Sequence, residues 1–72
     1  SFRKLKALDL QRNEIPQLQR NQFKGLKELE MLDLSFNSIE KIDSSHFTDL
    51  TKLSFLNLSH NALRDVPRHV CE

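Results

Sequence analysis

One line of residues recurs three times at a fixed interval and leaves this chain few ways to fold. Leu29-Glu30-Met31-Leu32-Asp33-Leu34-Ser35-Phe36-Asn37-Ser38-Ile39 reads L-x-x-L-x-L-x-x-N-x-I. Leu5, Leu8, Leu10, Asn13 and Ile15 form a copy 24 residues earlier, and Leu53, Leu56, Leu58, Asn61 and Leu63 form one 24 residues later. A period of that length marks a supersecondary unit that cannot bury its apolar face alone, so successive units must stack. Each sequence position therefore belongs to a column.

Around Leu8, Leu32 and Leu56, leucine alternates with other residues at period two, which predicts one short strand per unit. Parallel pairing of these strands needs a crossover, and the rest of each unit supplies it. Asn13, Asn37 and Asn61 close the strand lines. A stacked amide carries two donors and an acceptor for the backbone groups left open at the turn, so these asparagines read as structural. Core residues continue with Leu18, Ile42 and Val66, while Pro16 and Pro67 fall in crossovers where no ladder N–H is needed. Phe23 and Phe47 share a column and predict an aromatic spine, with Leu26 and Leu50 closing the same region. Glycine is scarce, and the crossovers carry few helix signals beyond single turns at Asn21–Phe23 and Ser44–Phe47.

On these residues the chain resembles the leucine-rich repeat family, and within it the 24-residue extracellular subclass of Toll-like receptors and secreted immune leucine-rich repeat proteins. The resemblance covers essentially all 72 residues. It implies an α/β solenoid, with short parallel β-strands on the concave face and mostly irregular crossovers on the convex face. Residues 1–72 are then one leucine-rich repeat segment, with units starting at Leu5, Leu29 and Leu53. Phe2 aligns with Leu26 and Leu50, so the sequence enters in mid-unit, and the first residue is not Met. The expectation is a segment of a longer array, with neighbouring repeats as its first partners.

Length agrees with stacking, because 72 residues with 38% apolar content supply only a thin core. A net charge of +1 gives no electrostatic footprint for nucleic acid, and it argues against contact with an anionic membrane within the segment. No apolar run approaches the roughly 20 residues that span a bilayer.

Chemistry is sparse. His46, His69 and Cys71 lack zinc-ligand spacing, no glycine-rich phosphate cradle exists, and no serine sits in an elbow motif. Asp9 and Asp33 share an outward column in the manner of paired carboxylates, but Asn57 takes the third place. The reading is no enzyme, no metal and no cofactor. Cys71 falls where the phenylalanine column would continue. It is either a buried thiol in place of the ring or a disulfide candidate toward a partner outside the segment. Asn57-Leu58-Ser59 is an N-glycosylation sequon, with Asn57 as acceptor if the chain is secreted.

The outward strand positions form columns of Ala7, Met31, Phe55; of Asp9, Asp33, Asn57; of Gln11, Ser35, Ser59; and of Arg12, Phe36, His60. Large apolar groups on a polar face mark interfaces, and the same groups also serve as cross-strand packing. Relatives use this face for protein partners, so the resemblance makes Met31, Asp33, Phe36, Phe55, Asn57, His60 and Arg12 the candidate binding residues. The expected function is recognition of a protein or microbial ligand by a secreted or cell-surface ectodomain, with innate immunity as one setting. The alternative is a structural spacer in a matrix or adhesion ectodomain, without ligand contact.

Overall fold

The computed structural model describes residues 2–64, with the Phe2 side chain set aside. Three strands, β1 (Ala7–Asp9), β2 (Met31–Asp33) and β3 (Phe55–Asn57), pair in parallel in the order β1-β2-β3. Register follows the 24-residue columns: Ala7 faces Met31, Leu8 faces Leu32, and Met31 faces Phe55. Backbone bonds extend the ladder at both ends. Glu30 N and Met31 N donate to Lys6 O, Ser54 N and Phe55 N donate to Glu30 O, and Leu10 N and Leu34 N reach Asp33 O and Asn57 O.

Burial concentrates in the middle turn of chain. Leu29, Leu32, Leu34 and Ile39 are 0% exposed, whereas their column partners Leu5, Leu8, Leu10, Ile15, Leu53, Leu56, Leu58 and Leu63 are only partly buried. The cause is geometric, since only the middle turn is covered on both sides. Each fully buried leucine contributes about 1.5–3 kcal/mol. Phe23 is buried and stacks on half-buried Phe47 with ring centroids 6.2 Å apart, and Leu18, Leu26, Ile42 and Leu50 complete the core.

Among the described residues the crossovers contain no α-helix, so the α/β description narrows to a parallel sheet with turn-built crossovers. A 3-10 turn forms at Ser44–Phe47, capped by Asp43, whose carboxylate accepts from Ser45 N. His46 completes the cap, its Nδ1 accepting from Asp43 N at 3.0 Å. In the preceding turn Gln22 does the same for Gln19 N at 2.8 Å, a shared device built from two residue types. Asn21–Phe23 lies in successive hydrogen-bonded turns, with Lys24 N donating to Asn21 O. A second 3-10 turn, Phe2–Lys4, precedes β1. Val66, Pro67, His69 and Cys71, with the disulfide reading of Cys71, lie outside the described residues.

Candidate functional site

The outward face of the three strands gathers the candidate binding residues, and its columns differ in how far their polar groups are already satisfied. At the strand starts Met31 is half-buried and Phe55 is 50% exposed, opposite each other in register. A phenyl ring left half in water at the start of a strand is the strongest apolar feature of this face.

One pleat further, the acidic column turns its acceptors inward on the chain. Asp33 Oδ1 accepts from Ser35 N at 2.9 Å and Ser35 Oγ at 2.7 Å. Asn57 Oδ1 accepts from Ser59 N at 3.0 Å and Ser59 Oγ at 2.8 Å. Asp9 bonds Gln11 N and Gln11 Nε2 in the same way. These are Asx turns that end each strand. The Ser35 hydroxyl, then its backbone N–H, hold the Asp33 carboxyl below the ordinary aspartate range, because both bonds favour the charged form. Asp33 and Asn57 thus reach a partner only with the groups their own turns leave over. The D-x-S and N-x-S spacings carried this signal in the sequence.

The next column adopts a conformation that residue type did not announce. Arg12, Phe36 and His60 have φ of 60°, 56° and 57°, in the left-handed region that a bulky residue such as phenylalanine rarely enters. Such a residue costs roughly 1–3 kcal/mol and persists only where its surroundings fix it. Here they do. Arg12 N donates to Ser35 O and Phe36 N to Ser59 O, both at 3.1 Å. The side chains then stack: the Arg12 guanidinium lies 4.1 Å from the Phe36 centroid, and the His60 ring lies 4.2 Å away on a nearly parallel plane. A cation over an aromatic face contributes roughly 0.5–1 kcal/mol at an exposed site. Phe36 is 39% exposed even so.

The asparagine column finishes each turn. Asn37 is buried; its Oδ1 accepts from Asn13 N and Ile15 N, and its Nδ2 donates to Leu10 O, Leu34 O and Ser35 O. Asn61 serves Ile39 N, Leu34 O, Leu58 O and Ser59 O likewise. The side chain of exposed Asn13 bonds its own turn, at Leu10 O and Gln11 O.

The face therefore brings Met31, Phe55, Phe36, His60 and Arg12 to its surface and commits much of Asp33 and Asn57 to backbone geometry. His46 sits in a crossover with its Nδ1 engaged as a cap, and among the described residues no three His, Cys, Asp or Glu side chains cluster as metal ligands. No helix of the described residues is long and apolar enough to cross a membrane.

No curated protein and no solved structure matches the chain. A family model described as leucine rich repeat matches residues 3–63, the span that holds all three strands and the asparagine column. The chain belongs to the leucine-rich repeat family, whose motifs generally mediate protein–protein interaction and which is typically a non-enzymatic binding module.

Proposed function

We propose that these repeats are a recognition segment of a secreted or cell-surface protein of the 24-residue extracellular subclass, within a longer solenoid. Its concave face, the outward side of β1–β3, takes a protein or microbial ligand, and innate immune recognition is the setting this repeat style favours. The observation that carries the reading is Phe55, half exposed at the start of β3 beside Met31, where nothing in the fold requires a large ring. Aromatic groups of this kind anchor interfaces.

Arg12, Phe36 and His60 flank that anchor as a rigid rim, since their stack already fixes their positions. In a secretory setting Asn57 is the glycan acceptor, its Oδ1 held by Ser59. A glycan there would cover the face, so binding and occupancy are mutually exclusive at this position.

The test places a photo-crosslinking amino acid at position 55 of the intact protein, and in a second variant at Lys41 in a crossover. A partner captured from position 55, and lost when Met31→Lys is added, is the expected result. Equal capture from both positions would sink the assignment. A spacer without ligand contact is the second reading, favoured by the internal satisfaction of Asp9, Asp33 and Asn57. It predicts no site-specific capture at all.

A further inference from the structure

The near-zero net charge conceals a steep gradient along the chain. Residues 1–27 carry seven basic and two acidic side chains, and residues 28–72 carry four basic and eight acidic. Arg12 stands on the sheet face, while four of those seven cations, Arg3, Arg20, Lys24 and Lys27, line depressions on the crossover side. A depression of about 180 Å³ there is lined by Arg20, Asn21, Lys24, Ser45 and Thr48, with buried Phe23 at its floor. A second depression shares Lys24 and Asp49 with the first and is continued by Lys27 and Arg3.

Lys52 pairs with Glu28 and Arg64 with Glu40, whereas Arg20, Lys24 and Lys27 are exposed and have no carboxylate partner among the described residues. The acid within the strip, Asp49, is engaged: its Oδ2 accepts from Gly25 N at 2.8 Å. That bond fixes the loop at Gly25, whose φ of 84° favours glycine. The cations thus flank a loop tied across two turns, and the Ser45 and Thr48 hydroxyls offer neutral donors between them.

We propose that this strip on the crossover side binds a linear sulfated polysaccharide, with Arg20, Lys24 and Lys27 as the contacts to sulfate groups. A forked guanidinium and two compact ammonium groups, interspersed with hydroxyl and amide donors, match a chain of sulfates and sugar hydroxyls. A single-stranded nucleic acid needs exposed aromatic platforms for its bases, whereas the rings in the strip are buried Phe23 and half-buried His46, which is held in the Asp43 cap with its ring edge-on to Phe47. An anionic membrane surface is engaged most firmly when apolar side chains insert beside the cations, and the exposed large apolar residues, Phe36 and Phe55, lie on the opposite side. The site is separate from the sheet face and does not depend on its role.

The experiment measures retention of the full chain on heparin across a salt gradient, and affinity for soluble heparin by titration calorimetry. Two variants of equal charge loss are compared: Arg20→Ser/Lys24→Ser/Lys27→Ser, and Lys6→Ser/Lys41→Ser/Arg64→Ser. Exposed substitutions of this kind leave folding nearly unchanged, which circular dichroism checks. The first variant should lose about tenfold or more in affinity, while the second stays within about twofold of the parent. Equal losses in both, or no retention of the parent at roughly 0.15 M salt, would overturn the proposal. So would binding of single-stranded DNA or phosphatidylserine vesicles as tightly as heparin.

Discussion

The middle turn of this chain and the first turn carry the same residues at Leu, Asn and Ile positions, yet they live in different environments. Leu32 is fully buried and Leu8 only partly; Asn37 is 8% exposed while Asn13 is open to water. Identity of sequence therefore does not mean identity of energy. In a stack the contribution of a residue is set by how many turns cover it, a nearest-neighbour effect of repeat architecture.

The bluntest way to break the comparison is Leu32→Ala against Leu8→Ala. A fully enclosed leucine leaves a cavity on truncation and should destabilise by about 3–5 kcal/mol, while the partly open site relaxes and loses about 1–2 kcal/mol. Chemical denaturation of the two variants reads the difference. Equal losses would mean that the outer turn is covered as fully as the middle one.

A smaller gap separates Asn37→Ala from Asn13→Ala. Removing the Asn37 amide strands Asn13 N and Ile15 N as well as groups in its own turn, and leaves Leu10 O to the Asn13 amide alone, a loss of roughly 2–4 kcal/mol. Asn13 serves only Leu10 O and Gln11 O, in contact with solvent, and its truncation should lose roughly 0.5–1 kcal/mol. Hydrogen exchange at Ile15 N distinguishes the two, rising in the first variant alone.

The subtlest probe is pH. Asp33 is held below the ordinary aspartate range by Ser35, and Asp43 by the Ser45 backbone N–H. A carboxyl lowered in the folded state stabilises fully above its unfolded value of about 3.9, and that stabilisation fades as pH falls through the folded value. Thermal midpoints should be flat from neutral pH to about 5 and decline below the aspartate range. Asp33→Asn should fold and show a shallower decline, because Asn57 already makes the same turn with an amide. An unchanged acid slope would remove Asp33 from the account.

The strand columns, the asparagines and the phenylalanine pair were legible because each recurs at a fixed interval, and repetition amplifies a weak local signal. The Asx turns were legible in principle from Asp33-Leu34-Ser35 and Asn57-Leu58-Ser59, but outward alternation alone pictured those side chains as pointing at a partner. What the sequence could not announce was the left-handed backbone at Arg12, Phe36 and His60. None is glycine; the next turn bonds the backbone N–H of Arg12 and of Phe36, and His60 is tied to the column by its ring stack on Phe36. The charge gradient was hidden by a total near zero, and only placement on the crossover side gave it a shape. The bond from Gly25 to Asp49, 24 residues on, is likewise a contact between successive turns within one column, invisible to any single turn.

The asparagine ladder also gives the assembly a direction. Asn37 Oδ1 reaches back to Ile15 N and Asn61 Oδ1 reaches back to Ile39 N, so every turn borrows an acceptor from the one that follows. Backbone bonds run the opposite way, with Glu30 N and Met31 N donating to Lys6 O and Ser38 N to Ile15 O. A turn at either end therefore leaves its neighbour with unmet groups when it peels away: backbone donors of the middle turn on one side, and the enclosed amide of Ile39 on the other. An interior turn is finished only when both neighbours are in place.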